Sequence, residues 1–221
     1  MPSFNPPIRV LMGPGPSDIH PRVLAAMAKP CIGHLDPVFQ SLMEDMKELL
    51  RYAFRTKNRL TMPASGPGSV GMETCFVNLV EPGDTVIVCQ NGVFGGRMKD
   101  VMERCGATVH ALEASWGDVF TLEQVAAALD RHPRAKLVGI VHAETSTGAL
   151  TPAEEISRLA REAGALMLLD TVTSLGGCPV RLGAYQLKGD IRLVFRILGG
   201  VGGGRLQSDV LEGFLALAGP R

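Results

Sequence analysis

The chain has 221 residues, with 22 Lys+Arg set against 22 Asp+Glu. That balance removes the electrostatic case for nucleic acid or an anionic membrane as partner, and no apolar run reaches membrane-spanning length. At 46% hydrophobic residues there is ample material for one large core. Met1–Arg9 lacks the charged-then-apolar form of a signal peptide. Cys31, Cys75, Cys89, Cys105 and Cys178 form no CxxC pair, so reduced thiols in a cytoplasmic protein are expected. The histidines show no HxxxH or HExxH spacing, and no metal site is expected.

In chain order, proline-rich Met1–Pro16 cannot be helical and is expected to run extended over a surface that needs covering. Helices follow at Pro21–Ala28 and Pro37–Phe54, the second with Val38, Leu42, Met46, Leu49 and Leu50 at helical spacing. Leu60–Ala64 is a short strand or an extended lead-in to a helix at Ser69–Val80. Strands at Thr85–Cys89, Thr108–Leu112, Leu137–His142 and Ala165–Asp170 then alternate with helices at Phe94–Cys105, Leu122–Arg131 (Thr121 as cap) and Pro152–Ala163. Such alternation with short connections predicts an α/β fold, a mainly parallel sheet flanked by helices. In the tail, Ile191–Leu198 is a candidate strand, glycine-rich Gly199–Gly204 a flexible connection, and Ser208–Leu217 a capped helix.

The organising stretch is Ala165-Leu166-Met167-Leu168-Leu169-Asp170, five apolar residues ending in a carboxylate. It reads as a strand buried on both faces and central to the sheet. Ligands of open α/β sheets sit at the carboxyl ends of strands, so Asp170 is either a site acid or the cap of the turn that follows. Ser65-Gly66-Pro67-Gly68-Ser69 turns into a helix, where close backbone approach and unpaired N–H groups suit a phosphate. Gly66-x-Gly68-x-x-Gly71 also matches a dinucleotide pattern, which requires an acid after the next strand. Asp84 precedes that strand instead, so the nicotinamide reading fails. Phe94 follows the same strand and is either a stacking platform or core packing. His142-Ala143-Glu144-Thr145-Ser146-Thr147-Gly148 ends another strand; His142 and Glu144 are expected to pair and support the loop. A phosphate cradle, an aromatic, hydroxyls and an acid together suit a flat, phosphorylated, cationic heteroaromatic ring such as pyridoxal phosphate.

Leu11-Met12-Gly13-Pro14-Gly15-Pro16-Ser17, Ser65–Ser69 with Met72-Glu73, Glu81-Pro82-Gly83-Asp84, Asn91–Gly95, Glu144–Gly148 and Leu169–Gly177 occur in order and at family spacing. On these residues the chain resembles the class V aminotransferases of fold type I, in the alanine–glyoxylate/serine–pyruvate branch. The resemblance implies pyridoxal 5'-phosphate as cofactor, a small amino acid and a 2-oxo acid as substrates, and a homodimer with the N-terminal arm on the neighbour. It implies that Pro67, Gly68 and Ser69 hold the cofactor phosphate and that Phe94 stacks on the ring. Thr145 lies beside the ring oxygen, Asp170 pairs with the pyridine nitrogen, Val172 packs on the ring face and Gly13 lines the substrate side. Pro67 departs from the usual Ser or Thr and lacks an N–H. At ungapped family spacing Arg196 stands where the Schiff-base lysine belongs, and a guanidinium is no nucleophile. Lys188, the one lysine after Asp170, matches no family position. The expected division is an arm at 1–17, a cofactor-binding large-domain core at 18–182 and a divergent tail at 183–221, with the family's small domain missing. Two other readings stand beside this one: a non-catalytic cofactor-binding or dimerisation module, and another class V enzyme such as a phosphonate transaminase or cysteine desulfurase.

Overall fold

The computed structural model describes residues 4–12, 15, 18–180 and, as backbone, 194–195. Two helices come first, α1 (Pro21–Met27) and α2 (Pro37–Ala53), each with proline in its first turn and a side-chain cap, His20 and Asp36. An alternating series follows: α3 (Gly68–Leu79), β1 (Thr85–Gln90), α4 (Val93–Arg104), β2 (Thr108–Glu113), α5 (Leu122–Arg131), β3 (Leu137–Val141), α6 (Ala153–Glu162), β4 (Leu166–Asp170) and the two-residue β5 (Val194–Phe195). From α1 to β4 these bounds match the sequence expectation to within a residue or two. Leu60–Ala64 joins no strand, leaving Leu60 and Met62 exposed, so it is a lead-in only. The candidate strand Ile191–Leu198 is described only at β5, and Gly199–Gly204 and Ser208–Leu217 lie outside the described residues.

All strand pairs are parallel, in the order β2-β1-β3-β4-β5. Among the described strands the middle one is β3, and the strand ending in Asp170 is its neighbour rather than the centre. The chain leaves β1 outward to β2, then crosses back to β3 on the other side of β1. That reversal makes the gap between β1 and β3 the topological switch point, where connections diverge and leave a crevice at the strand ends.

Strand alternation divides the core into two layers. Ile87, Cys89, Val138, Ile140, Met167 and Leu169 face α2, α5 and α6, while Val86, Val88, Leu137, Val141 and Leu168 face α3 and α4. Each buried Leu, Ile or Val contributes about 1.5–3 kcal/mol. Gly139 lies in register with the second set, and a Cβ there would stand 2.6 Å from Met98 Sδ; its absence lets α4 close on the sheet. By the same alternation Asp170 belongs to the α3/α4 face. Thr121 and Gln124 form a reciprocal capping box on α5, worth about 1 kcal/mol. Gly164, at φ +79°, makes the left-handed turn that ends α6 and starts β4.

The N-terminal region is packed less completely. Helix α1 buries no residue, and Phe4, Ile8, Met12, Met27, Leu35 and Val38 are largely exposed. No helix among the described residues is long and apolar enough to cross a membrane.

Candidate active site at the carboxyl edge of the sheet

Register brings three strand ends together. Val141 pairs with Asp170, the His142 N–H donates to the Asp170 carbonyl at 2.9 Å, and β1 runs alongside β3 to end at Gln90. The loops leaving these ends carry the residues singled out from the sequence.

The cradle opens α3. Pro67 is its N-cap and offers no side-chain cap; it is exposed, Gly68 is buried and Ser69 half-buried. Val70 and Gly71 N–H donate to the Pro67 carbonyl, whereas the Gly68 and Ser69 N–H groups have no acceptor among the described residues. Two unpaired donors at the positive end of a three-turn helix suit an anion. Arg97 Nη1 donates to Ser69 Oγ at 3.1 Å, adding a cation beside the cradle. Arg97 was not foreseen from the sequence. It lies one helical turn beyond Phe94, so helical spacing on α4 was a signal that pointed to it.

Asp170 is 3% exposed. Its Oδ1 accepts the Val172 N–H at 2.9 Å, the turn bond expected of a capping acid. Burial pushes its carboxyl up to about 6, the Val172 N–H opposes that, and Glu144 adds to it. Burial, with Asp170 contributing, also pushes the Cys75 thiol of α3 up to about 12, keeping it protonated. A buried acid on the sheet face that carries the cradle helix can pair with a cation brought to that edge. Val172 and Phe94, both half-buried, pack against the cluster formed by Cys75, Leu168 and their neighbours. Phe94 is therefore partly core and partly exposed. Thr145 Oγ1 is hydrogen-bonded to Thr173 Oγ1, which joins the loops after β3 and β4.

His142 and Glu144 do not pair with each other, contrary to expectation. Both lie past the end of β3, where strand geometry no longer fixes their directions: the His142 ring bonds Ser174 Oγ through Nδ1 at 2.9 Å, while Glu144 accepts from N–H groups of α4. Burial lowers the pKa of His142, which favours the neutral ring. Of the residues proposed from the sequence, Pro67, Gly68, Ser69, Phe94, Thr145, Asp170 and Val172 converge on this edge. Gly13, Lys188 and Arg196 lie outside the described residues. A cavity of about 930 Å³ opens elsewhere, between the end of α2 and Leu175–Val180, with Arg55, Lys57 and Arg59 on its wall, and it shares no residue with the cradle.

The parallel α/β sheet flanked by helices matches part of the fold type I aminotransferase structure. The family profile described as aminotransferase class-V matches residues 10–187, and the chain belongs to that family, in its alanine–glyoxylate branch. It is 38% identical over 181 residues to the (S)-ureidoglycine–glyoxylate transaminase of Bacillus subtilis, covering 82% of this chain and 43% of that one. It is 42% identical over 174 residues to the alanine–glyoxylate aminotransferase of Oryctolagus cuniculus, covering 79% and 44%. The crystal structure of alanine–glyoxylate aminotransferase from Nostoc sp. superimposes with a TM-score of 0.85 at 42% identity, covering 100% of this chain and 58% of that one. The chain thus spans less than half the length of these curated relatives and somewhat more than half of the solved one.

Proposed function

We propose that this chain is the cofactor-binding core of a pyridoxal-phosphate-dependent aminotransferase that moves an amino group from a small amino acid to a 2-oxo acid such as glyoxylate. The observation that carries the reading is the buried Asp170 at the switch-point edge, on the sheet face of a helix start with two unpaired N–H groups. In this reading Gly68 and Ser69 N–H and Ser69 Oγ hold the phosphate, with Pro67 shaping the turn and Arg97 supplying charge. Phe94 and Val172 sandwich the ring, and Thr145 hydrogen-bonds its hydroxyl oxygen. Asp170, whose carboxyl is pushed up to about 6 by burial, would give up its proton to pair as a carboxylate with the protonated pyridine nitrogen. When bound, the cofactor supplies an electron-poor ring that accepts negative charge from the substrate carbon. Gly13 lines the substrate side, and the core at 18–182 lies between an arm at 1–17 and a tail at 183–221. The apolar side chains exposed on residues 4–12 and α1 support self-association as a homodimer.

A second reading, a cofactor-binding module without turnover, is favoured by one observation: arginine stands at position 196, where ungapped family spacing requires lysine. Titration of the full chain with pyridoxal phosphate, followed spectroscopically, tests the shared claim. Saturable binding that Asp170→Ala weakens strongly is expected, and equal binding by both proteins overturns it. Borohydride reduction and mass mapping then separate the readings. Label confined to one lysine favours the enzyme, and binding without a specific label favours the module.

A further inference from the structure

We propose that Glu144 is a positioning residue that sets Phe94 against the cofactor ring by capping helix α4 across the gap between β1 and β3. The proposal rests on the cofactor reading above. Glu144 is 0% exposed, and a carboxylate so buried costs several kcal/mol unless donors satisfy it. Here they do. Oε2 accepts the Phe94 and Gly95 N–H groups, each at 3.2 Å. Oε1 accepts the Ser146 N–H at 3.1 Å and the Ser146 hydroxyl at 2.7 Å. Ser146 Oγ in turn accepts the Val93 N–H at 3.0 Å. The first three N–H groups of α4 therefore go to two side chains of the loop after β3.

Helix α4 has no cap of its own, because its N-cap is Gly92. The close approach explains that glycine: a Cβ on Gly92 would stand 2.4 Å from Glu144 Cγ. The cap comes instead from a residue 50 positions away in sequence, across the switch point. Phe94 donates one of these bonds through its own N–H, so the height and rotation of its ring follow the Glu144 carboxylate. Thr145 is the adjacent residue, tied to Thr173, and the Glu144 charge also acts on Asp170. One buried carboxylate thus indexes three of the groups assigned to the ring.

Glu144→Gln keeps the shape but turns an amide donor toward N–H groups. Wild type, Glu144→Gln, Phe94→Ala and the double variant are compared by urea unfolding, by pyridoxal phosphate dissociation constant, and by visible circular dichroism per bound cofactor. The proposal expects Glu144→Gln to weaken binding about tenfold and to change the dichroism band; in the Phe94→Ala background its further effect falls to about twofold or less. Loss of unfolding stability alone, with affinity and dichroism unchanged, overturns it. So do losses that add fully in the double variant. If Glu144→Gln does not fold, Ser146→Ala, which removes only the hydroxyl bonds, carries the same comparison with Phe94→Ala. Wild-type protein that binds no cofactor overturns the functional reading and this one with it; wild-type binding with additive variants overturns only this one.

Discussion

The two ends of the same sheet are built on opposite terms. Where the strands begin, hydrogen-bonding groups are stitched together. Asp84 Oδ2 accepts from Lys136 Nζ and the Glu81 N–H, Lys136 N–H donates to the Thr85 carbonyl, and Thr108 N–H donates to the Asp84 carbonyl. Where the strands end, polarity is buried without completion. Among the described residues, Gln90 Oε1, Asn91 Oδ1, Thr151 Oγ1 and Thr171 Oγ1 have no partner, and each belongs to a strand's last residue or to the connection after it. Natural proteins leave few such atoms, and these four lie on the edge proposed for the cofactor. Sequence reasoning about ligands at carboxyl ends has its physical counterpart in that asymmetry.

The largest expected effect breaks the comparison outright. Asp170→Ala is expected to weaken pyridoxal phosphate binding about a hundredfold or more, since it leaves a buried cation unpaired, whereas Lys136→Met at the other end leaves affinity unchanged. Parallel titrations check this, and equal losses would dissolve the distinction. Next, Gly92→Ala drives a methyl group into Glu144 and is expected to cost about 1–3 kcal/mol in urea unfolding.

Asp170 itself sharpens the comparison through pH. Its carboxyl is raised from 3.8 to about 6 in the folded chain, so folding favours the protonated form. Its contribution is fully present below pH 4 and is lost as pH rises through 6. Asp170→Asn is accordingly expected to stabilise the cofactor-free chain by about 3 kcal/mol at pH 8 and to confer no charge-linked gain below pH 4. Denaturation at both pH values reads the difference. Asp84 runs the other way: the Lys136 side chain, and then the Glu81 N–H, lower its pKa. The stability it contributes is present above about pH 4 and disappears as pH falls through its lowered folded value. The pair is partly solvated, so Lys136→Met is expected to cost less than about 1 kcal/mol, the smallest effect here.

Much of this was legible before any coordinates. Thr121 announces α5, Gly164 announces the turn into β4, and an apolar run closed by Asp170 announces a buried strand and its acid, because each signal is local. Residues whose meaning depends on a distant partner were less legible. Glu144 stands near His142 in sequence and invited a pairing, yet its donors lie on α4, reached only once strand order is known. Arg97 acquires significance from Ser69 on another helix. Strand order likewise gave no local sign, which is why β4 was taken as the centre of the sheet.

Backbone amide NMR of the full chain, titrated with pyridoxal phosphate, tests the central claim most directly. The account predicts the largest saturable shifts at Gly68, Ser69, Phe94, Thr145 and Val172, with Asp84 and Lys136 unmoved. Shifts centred instead on Arg55, Lys57 and Arg59, around the cavity beyond α2, would contradict it.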